Sequence, residues 1–341
     1  MNQHMQRVSR FILLAVLAAG CQGGEKELQR FDYEEPHMGA LFRISLYAES
    51  RTIADETARD AFTRIDELNR ILSDYSDESE LSRLNRTAGS GEFVSVSHEL
   101  YTILERSKEF SEMTDGRFDI TIGPLVDLWR EQRGRARPEL PSAKRLRRAQ
   151  MSSGYEHLDL SRTDQSVRLA RPEMRLDPGG IGKGYAADAV RNLFEERGLQ
   201  VFMIDAGGDI VLGGPPPNQE GWEISIPTGV SESGLETKTL KLSRCAITTS
   251  GDLYQAITMD GVRYSHIIDP ATGVGVTGSR MATVVAPDGT TADALASAFT
   301  IGRADWSLDL ANSITGLHLS LLYEENGEVL RSVSEGFPDG K

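Results

Sequence analysis

The chain has 341 residues and a formal net charge of −14, with 37 lysines and arginines against 51 acidic residues. Its length is sufficient for a large buried core, arranged as one large domain or two ordinary ones. The acidic balance argues against a protein that binds nucleic-acid backbones, because such proteins usually carry basic surfaces. We therefore expect any bound nucleotide to be held locally, together with a cation.

The amino terminus has the pattern of an export signal. Two arginines precede an apolar run from Phe11 to Ala19, which is too short to span a bilayer as a mature helix. The residues from Leu17 to Cys21 resemble a bacterial lipoprotein signal. We expect residues 1–20 to be removed, Cys21 to be acylated and residues 21–30 to form a tether. An ordinary cleaved signal with an incidental cysteine is the alternative.

Apolar residues follow helical or alternating spacing over much of the chain. In chain order, these patterns predict a strand over 41–47, helices over 52–72 and from Ser97 to about Asp115, a helix that follows the segment 176–185 and ends near Gly198, a strand over 201–204, paired strands over 222–226 and 238–242, a helix from Thr291 through Phe299, and a hairpin between 317–323 and 328–333. Strands and helices alternate irregularly and hairpins occur. We therefore expect an α+β fold, with largely antiparallel or mixed sheets and packed helices in one large domain over 31–341, rather than a doubly wound parallel sheet.

Two polar segments have competing interpretations. Residues 130–150 carry eight basic side chains, with no aromatic residue between them, in a chain that is acidic overall. We interpret this run as a solvated helix and loop rather than as a nucleic-acid surface. Tyr75 lies in the polar run 73–81, where it is either an ordinary surface residue or a stacking platform for a flat ring.

The stretch from Leu176 to Tyr185 is the densest candidate binding segment, with four glycines, Asp177 and Lys183. Glycines let a backbone approach a ligand closely, and the amides that open a following helix can point at phosphate oxygens. The P-loop pattern and the dinucleotide fingerprint GxGxxG are both absent here. The residues alone leave two interpretations open, a site for a polyanion and a generic glycine turn that leads into a helix.

Two further groups can carry chemistry. Asp293 and Ser297 are four residues apart, so that on a helix they share one face and can hold one hard cation such as Mg²⁺ through oxygens. A capping aspartate and a small packing serine are the alternative. His266 precedes an Asp-Pro turn, and it is either a catalytic base or a structural hydrogen-bond donor. The histidines show no zinc-ligand spacing, and Cys245 is most simply a small buried residue.

Seven segments, taken in order, resemble the ApbE family of flavin transferases, also called FAD:protein FMN transferases. The resemblance runs from about Met38 to Gly302 and rests on Met38-Gly39-Ala40, Gly116 to Leu125 with Trp129, Asp177 to Gly184, Gly207-Gly208-Asp209, Thr249-Ser250-Gly251, His266 to Gly273, and Ala292 to Ser297. Two positions depart from the family pattern. Gly182 stands where the family more often has Ala, and Ser297 stands where it usually has Thr, which keeps the hydroxyl.

The resemblance implies FAD as a substrate and a Mg²⁺ ion that bridges its pyrophosphate. The residues that it places beside FAD are Met38, Tyr75, Phe118, Asp119, Ile120, Asp177, Lys183 and Ile267. It assigns the metal to the Gly180 carbonyl, Asp293 and Ser297. His266 would accept a proton in the reaction, and Asp293 would act through the metal.

The implied reaction moves FMN from FAD to a Thr or Ser hydroxyl of a partner protein and releases AMP. The family's acceptors are subunits of Na⁺-pumping NADH:quinone oxidoreductase and Rnf-type complexes. These acceptors suit a lipid-anchored enzyme of the cell envelope, on the periplasmic side of the inner membrane. Two alternatives stay open, a Mg²⁺-dependent FAD pyrophosphatase that yields FMN and AMP, and a non-catalytic lipoprotein that binds or scavenges FAD.

Overall fold

The computed structural model describes residues 27–133, 135–231, 234–251 and 256–339. The predicted signal peptide, Cys21 and most of the tether lie outside these residues, so their assignment stays a prediction. Among the residues described, no helix combines the length and the apolar character that a membrane span requires.

Sixteen strands and eight helices alternate irregularly along the described chain. The strands are β1 (Gln29–His37), β2 (Ala40–Ala48), β3 (Val94–Ser95), β4 (Leu158–Ser161), β5 (Ser166–Leu169), β6 (Phe202–Ala206), β7 (Asp209–Leu212), β8 (Trp222–Ser231), β9 (Gly234–Leu242), β10 (Cys245–Gly251), β11 (Ala256–Met259), β12 (Val262–Asp269), β13 (Val274–Thr277), β14 (Arg280–Ala286), β15 (His318–Glu325) and β16 (Glu328–Val333). The helices are α1 (Arg51–Leu72), α2 (Glu80–Asn85), α3 (His98–Met113), α4 (Gly123–Arg133), α5 (Ala143–Met151), α6 (Gly182–Glu196), α7 (Gly289–Ile301) and α8 (Ala304–Ser313).

The central sheet has eight strands in the order β1-β2-β6-β7-β10-β14-β15-β16, and every neighbouring pair is antiparallel. Two three-stranded sheets, β11-β12-β13 and β3-β5-β4, and the hairpin β8-β9 complete the strand pairing of the described residues. The α+β prediction with largely antiparallel sheets is therefore confirmed.

Alternation along the central strands separates two cores. On β10, Ala246 faces the larger core, which includes buried side chains of α1, α6 and α7. The next residue, Ile247, points to the opposite face and packs in a second core with Trp222 of the β8-β9 hairpin. Since successive side chains of a strand point to opposite faces, Thr248 and Ser250 face the helices together with Ala246.

Helices α6 and α7 approach each other most closely at two glycines. A Cβ atom added at Gly184 would lie 2.2 Å from the carbonyl oxygen of Gly289 and 2.9 Å from the Cβ of Asp293. A Cβ atom at Gly289 would in turn lie 2.8 Å from the Gly184 oxygen. The helix that follows the glycine-rich stretch is therefore held against the helix that carries Asp293 by direct backbone contact.

This contact predicts that alanine substitutions at two glycines of α6 have different effects on stability. Gly184→Ala is expected to lower the free energy of unfolding by about 3 kcal/mol, because the methyl group meets backbone atoms that cannot move independently. At Gly182 an added Cβ lies 3.6 Å from Met38 Cε and from Pro178 Cβ, which are ordinary contacts. Gly182→Ala should therefore change stability by less than about 1 kcal/mol, and is the matched control. Urea unfolding of both variants tests the pair, and equal stabilities would contradict the close packing.

Candidate functional site

The glycine-rich stretch begins beside the segment that contains Phe118 and Ile120. The Asp177 amide donates to the Ile120 carbonyl at 2.8 Å, and the Gly123 amide donates to the Arg175 carbonyl at 3.1 Å. The amides of Ile181 and Gly182 both donate to the Pro178 carbonyl, which closes a tight turn at the start of α6. Two segments that are far apart in sequence therefore form adjacent walls of one site.

A single arginine connects Asp177 to two other residues of the site. The Asp177 carboxylate accepts from the Gly179 amide at 2.8 Å and from Arg130 Nη2 at 2.9 Å. Arg130 Nη1 donates to Asp74 at 2.5 Å, and the guanidinium carbon lies 4.5 Å from the centroid of the Tyr75 ring. Burial and the neighbouring Asp74 carboxylate raise the pKa of Asp177, and the Arg130 charge opposes them.

Gly180 lies directly against Ser297. A Cβ atom at Gly180 would be 3.2 Å from Ser297 Oγ and 3.6 Å from the Phe118 ring. Ser297 Oγ is 3.5 Å from Ser250 Oγ, which projects from β10. One turn earlier on α7, buried Asp293 accepts from the Gly184 amide at 3.1 Å. The structure therefore brings together Gly180, Asp293 and Ser297, the three residues predicted to hold a metal.

A buried cluster of charges lies behind this group. Lys183 forms an ion pair with Asp209, which is buried. Burial disfavours the Lys183 charge, but the Asp209 and Asp293 carboxylates outweigh it and raise the pKa of the ammonium. Burial and the Asp209 charge raise the pKa of Asp293 to about 7, against the opposing Lys183 charge. Two buried carboxylates thus share one lysine, and a further cation would complete the charge balance.

The oxygen atoms at this position suit a hard cation. Among the residues that the structure describes, no group of three His, Cys, Asp or Glu side chains can hold a metal. The groups present are hydroxyls, one carboxylate and a backbone carbonyl. Thr248 Oγ1, on the same face of β10, is buried and has no hydrogen-bond partner within the described part of the chain. This set fits Mg²⁺, which binds through one or two carboxylates and takes its remaining ligands from substrate phosphates and water.

His266 and Ile267 lie on β12, a strand that packs against α7. The pairing of β12 with β13 changes register between Tyr264 and Ile268, and His266 is half-buried within this irregular segment. Ser265 Oγ accepts from the Ile267 amide at 3.0 Å. Strand irregularities of this kind redirect side chains and occur often beside active sites. His266 therefore precedes the Asp-Pro turn as part of a strand, and not as part of the loop itself.

Comparison with known proteins identifies the family to which this site belongs. Residues 38–320 match the model of the ApbE family. The chain belongs to the ApbE family. It is 33% identical over 287 residues to the FAD:protein FMN transferase of Vibrio cholerae, with 83% of each chain covered. It is 31% identical over 332 residues to the Treponema pallidum protein of the same name, with 92% of this chain and 90% of the relative covered.

Solved structures of the family share the fold. The flavin transferase ApbE from Vibrio cholerae superposes with a TM-score of 0.79 at 29% identity, covering 91% of this chain and 99% of that one. The ApbE protein from Thermotoga maritima gives a TM-score of 0.80 at 27% identity, covering 92% and 100%. The family predicted from the seven sequence segments is confirmed.

Two predicted FAD neighbours of this ApbE-family chain border the glycine turn in different ways. Met38 has a left-handed backbone (φ 49°) in the turn between β1 and β2, and its methyl group faces Gly182 at the start of α6. Asp119 is buried and already accepts three hydrogen bonds, from the Thr121 amide at 2.8 Å, the Thr121 hydroxyl at 2.7 Å and the Tyr155 amide at 3.0 Å. Its carboxylate therefore organises the loop beside Phe118, and its contact with FAD stays a prediction.

The buried Asp119 carboxylate predicts a pH-dependent stability. Burial raises its pKa to about 6 in the folded chain, against 3.8 for the ordinary group. The folded state then binds the proton more tightly, so this contribution to stability is fully present below about pH 4 and is lost as pH rises through about 6. The loss amounts to about 2 to 3 kcal/mol. Urea unfolding from pH 4 to 7 of the wild type and Asp119→Asn tests it, since the loss of stability in the variant should be smaller by this amount, and equal losses would contradict the role of Asp119.

Arg130 was not predicted as a functional residue. Seven of the eight basic residues in 130–150 are exposed, as the solvated interpretation requires, but that interpretation is wrong for Arg130. The residue follows buried Trp129 on α4, and its guanidinium meets two carboxylates from distant segments. The sequence contains one indication of this role, which is the position of Arg130 directly after Trp129. A side chain next to a buried position can turn toward the protein instead of the solvent.

Proposed function

We propose that this ApbE-family enzyme transfers FMN from FAD to a Thr or Ser hydroxyl of a partner protein, in a Mg²⁺-dependent reaction that releases AMP. The observation that carries the proposal is the contact of the Gly180 turn with Ser297, beside Lys183 and the buried carboxylates of Asp293 and Asp209. This arrangement presents backbone, hydroxyl, carboxylate and ammonium groups to one place, as a pyrophosphate with its cation requires. The relatives named FAD:protein FMN transferase support the same reaction.

The proposed roles follow from where the side chains lie. Phe118, Ile120 and Ile267 are buried apolar groups suited to one side of the flavin dinucleotide, and Met38 lies beside the start of α6. Tyr75 offers an exposed ring, and Asp177 is fixed by Arg130 and the Gly179 amide. Lys183 keeps donor capacity beyond its Asp209 partner, because an ammonium carries three N–H bonds.

The metal would be held by the Gly180 carbonyl, Asp293 and Ser297. When bound, Mg²⁺ supplies neutralisation of the pyrophosphate charge and alignment of the displacement. Ser297 provides the same hydroxyl as the Thr that is usual in the family, and Ser250 Oγ beside it can fix its rotamer. The orphaned hydroxyl of Thr248 is available to a water or to the ligand shell at this place.

The bond changes balance without a further reactant. The hydroxyl oxygen of the acceptor forms a bond to the FMN phosphorus, and the phosphoanhydride bond to AMP breaks. AMP leaves with the bonding electron pair, and the hydroxyl proton passes to an imidazole nitrogen of His266. An imidazole suits this step because its pKa ordinarily lies near neutral pH.

The proposal includes the place of action and the acceptor. The signal-like segment ending at Cys21 supports an envelope lipoprotein on the periplasmic side of the inner membrane. Acceptor subunits of Na⁺-pumping NADH:quinone oxidoreductase or Rnf-type complexes would then be within reach of the tethered enzyme. Labelling with radioactive palmitate tests the anchor, because the label should be lost in Cys21→Ser, and a wild type without label would contradict it.

One incubation tests the reaction. The enzyme is mixed with FAD, Mg²⁺ and an acceptor subunit, and the denatured acceptor is examined for flavin fluorescence after electrophoresis. A fluorescent acceptor band is the expected result. Free FMN with AMP and a dark acceptor band would instead identify a FAD pyrophosphatase, and unchanged FAD would identify a binding or scavenging protein.

A further inference from the structure

Arg130 is the point where three segments around the proposed FAD site meet. Its two terminal nitrogens donate to Asp74, in the loop after α1, and to Asp177, at the start of the glycine turn, at 2.5 and 2.9 Å. Its guanidinium carbon lies over the Tyr75 ring, 4.5 Å from the ring centroid. A planar guanidinium can make this fork of hydrogen bonds and stack at the same time, which a lysine ammonium cannot do.

The members of this group differ in solvent exposure: the two carboxylates and Arg130 are largely buried, and the Tyr75 ring is exposed. The Asp74 and Asp177 side chains are each 8% exposed and Arg130 is 24% exposed, whereas Tyr75 is 80% exposed. A large aromatic ring with that exposure has one side on the guanidinium and the other side in solvent. An open aromatic face of this kind is a surface on which a flat ring can stack.

Hydrogen bonds within the protein hold the backbone of the loop that carries Tyr75 without any ligand. The Ser73 hydroxyl accepts from the amides of Tyr75 and Ser76, both at 3.3 Å. Arg175 Nη2 donates to the Asp74 carbonyl at 2.8 Å. The backbone is therefore set, and the orientation of the Tyr75 ring depends on what lies beneath it.

We infer that Arg130 is a positioning residue for FAD: its guanidinium fixes the Tyr75 ring as a stacking surface and links that surface, through Asp177, to the turn that carries Gly180. This inference rests on the proposed function, because the stacked ring is one of the two flat rings of FAD. It adds a role that neither the basic run nor the glycine pattern indicates. Binding energy gained at Tyr75 is thereby coupled to the geometry of the turn at Ser297.

The test is Arg130→Lys, which keeps a positive charge beside the two buried carboxylates and removes the planar fork. The dissociation constant of FAD, measured by quenching of flavin fluorescence on the full enzyme, is expected to rise about tenfold, within the range of a guanidinium stacked on an aromatic ring. KM for FAD should rise similarly, while kcat at saturating FAD falls less than about twofold, because Arg130 touches no reacting atom.

A double-mutant cycle separates positioning from general stability. Tyr75→Ala removes the stacking ring without disturbing a buried group, and should weaken FAD binding at least as much as Arg130→Lys. In the Tyr75→Ala background, Arg130→Lys should then have a clearly smaller effect than in the wild type, because the part of its action that passes through the ring is already lost. Effects on FAD affinity that add independently would overturn the inference.

Arg145→Lys is the matched control. Arg145 donates to both carboxylate oxygens of Glu131 at 2.9 and 2.8 Å and is exposed, so its replacement should leave FAD affinity unchanged. Unfolding of the apoprotein is measured beside each titration. A lower melting temperature for Arg130→Lys with unchanged FAD affinity would overturn the inference, since Arg130 would then contribute to stability and not to FAD binding. A wild type that binds FAD but transfers no FMN would overturn the proposed function and leave this inference standing.

Discussion

Replacement of Asp293 by alanine is expected to lower Mg²⁺-dependent FMN transfer by about a thousandfold. Loss of one group that stabilises transition-state charge usually lowers the rate by about this factor. Asp293 is buried on α7, one turn before Ser297, and Ser297 lies against the Gly180 turn. Its carboxyl group is the only one of the three proposed metal-holding groups that can carry a negative charge. Its removal leaves a hydroxyl and a carbonyl, which bind a divalent cation weakly.

A conservative variant separates charge from packing. Asp293→Asn keeps the volume of the side chain and an oxygen that can accept from the Gly184 amide. It should therefore fold with little loss of stability but lose transfer nearly as completely as Asp293→Ala. The assay follows AMP release at saturating FAD over a Mg²⁺ titration, with calorimetric titration of the metal as a second readout. Full activity of either variant at saturating FAD would show that the Gly180 turn and α7 do not form one metal site.

Replacement of His266 by alanine is expected to lower FMN transfer by a factor of about 10² to 10⁴, the usual contribution of a positioned general base. FAD affinity should change little, because His266 is assigned to the acceptor's proton and not to the dinucleotide. His266 lies in the irregular part of β12, a strand that packs against α7.

The measurement combines FAD titration with the initial rate of acceptor labelling. His98→Ala is a suitable control, because His98 is an exposed residue at the start of α3, outside the proposed site. Transfer by His266→Ala should recover in part at higher pH, where the acceptor hydroxyl ionises more readily. Loss of FAD binding and transfer together would contradict the role as a base and indicate a contribution to the binding site instead.

Elements with one strongly buried face could be predicted from the sequence. The spacing of Ala58, Ala61, Ile65 and Leu68 predicts α1, and the structure buries all of these residues. The β15-β16 hairpin and the helix α7 were likewise predicted within two residues of their ends. The paired strands β8 and β9 were predicted too, but both extend four or five residues further toward the turn that joins them. In each case the local pattern and the tertiary burial agree, so no distant contact was needed.

Four strands of the central sheet, β1, β7, β10 and β14, were not predicted as strands, and β1 and β14 illustrate two opposite reasons. β1 is an edge strand with a largely exposed side, so its alternation is weak. β14 is buried on both faces over most of its length, between β10 and β15, so it has almost no alternation. A strand of either kind is defined by its neighbours in the sheet rather than by its own periodicity.

The site was predictable where its residues are close in sequence. The glycine turn and the pair on α7 each have a local pattern, and the family resemblance joined them. The ion pair of Lys183 with Asp209 depends on which strand lies beneath α6, and the position of Thr248 opposite Asp209 depends on the register of β7 with β10. Such contacts follow from long-range pairing, which single-sequence patterns do not encode.

Covalent transfer of FMN is tested most directly by the stoichiometry of its two products. An acceptor subunit is incubated with enzyme, FAD and Mg²⁺, the intact acceptor is weighed by mass spectrometry, and AMP is quantified in the same sample. We expect one AMP released for each FMN attached, with the flavin on a Thr or Ser residue. AMP and free FMN released in equal amounts, with the acceptor mass unchanged, would contradict it.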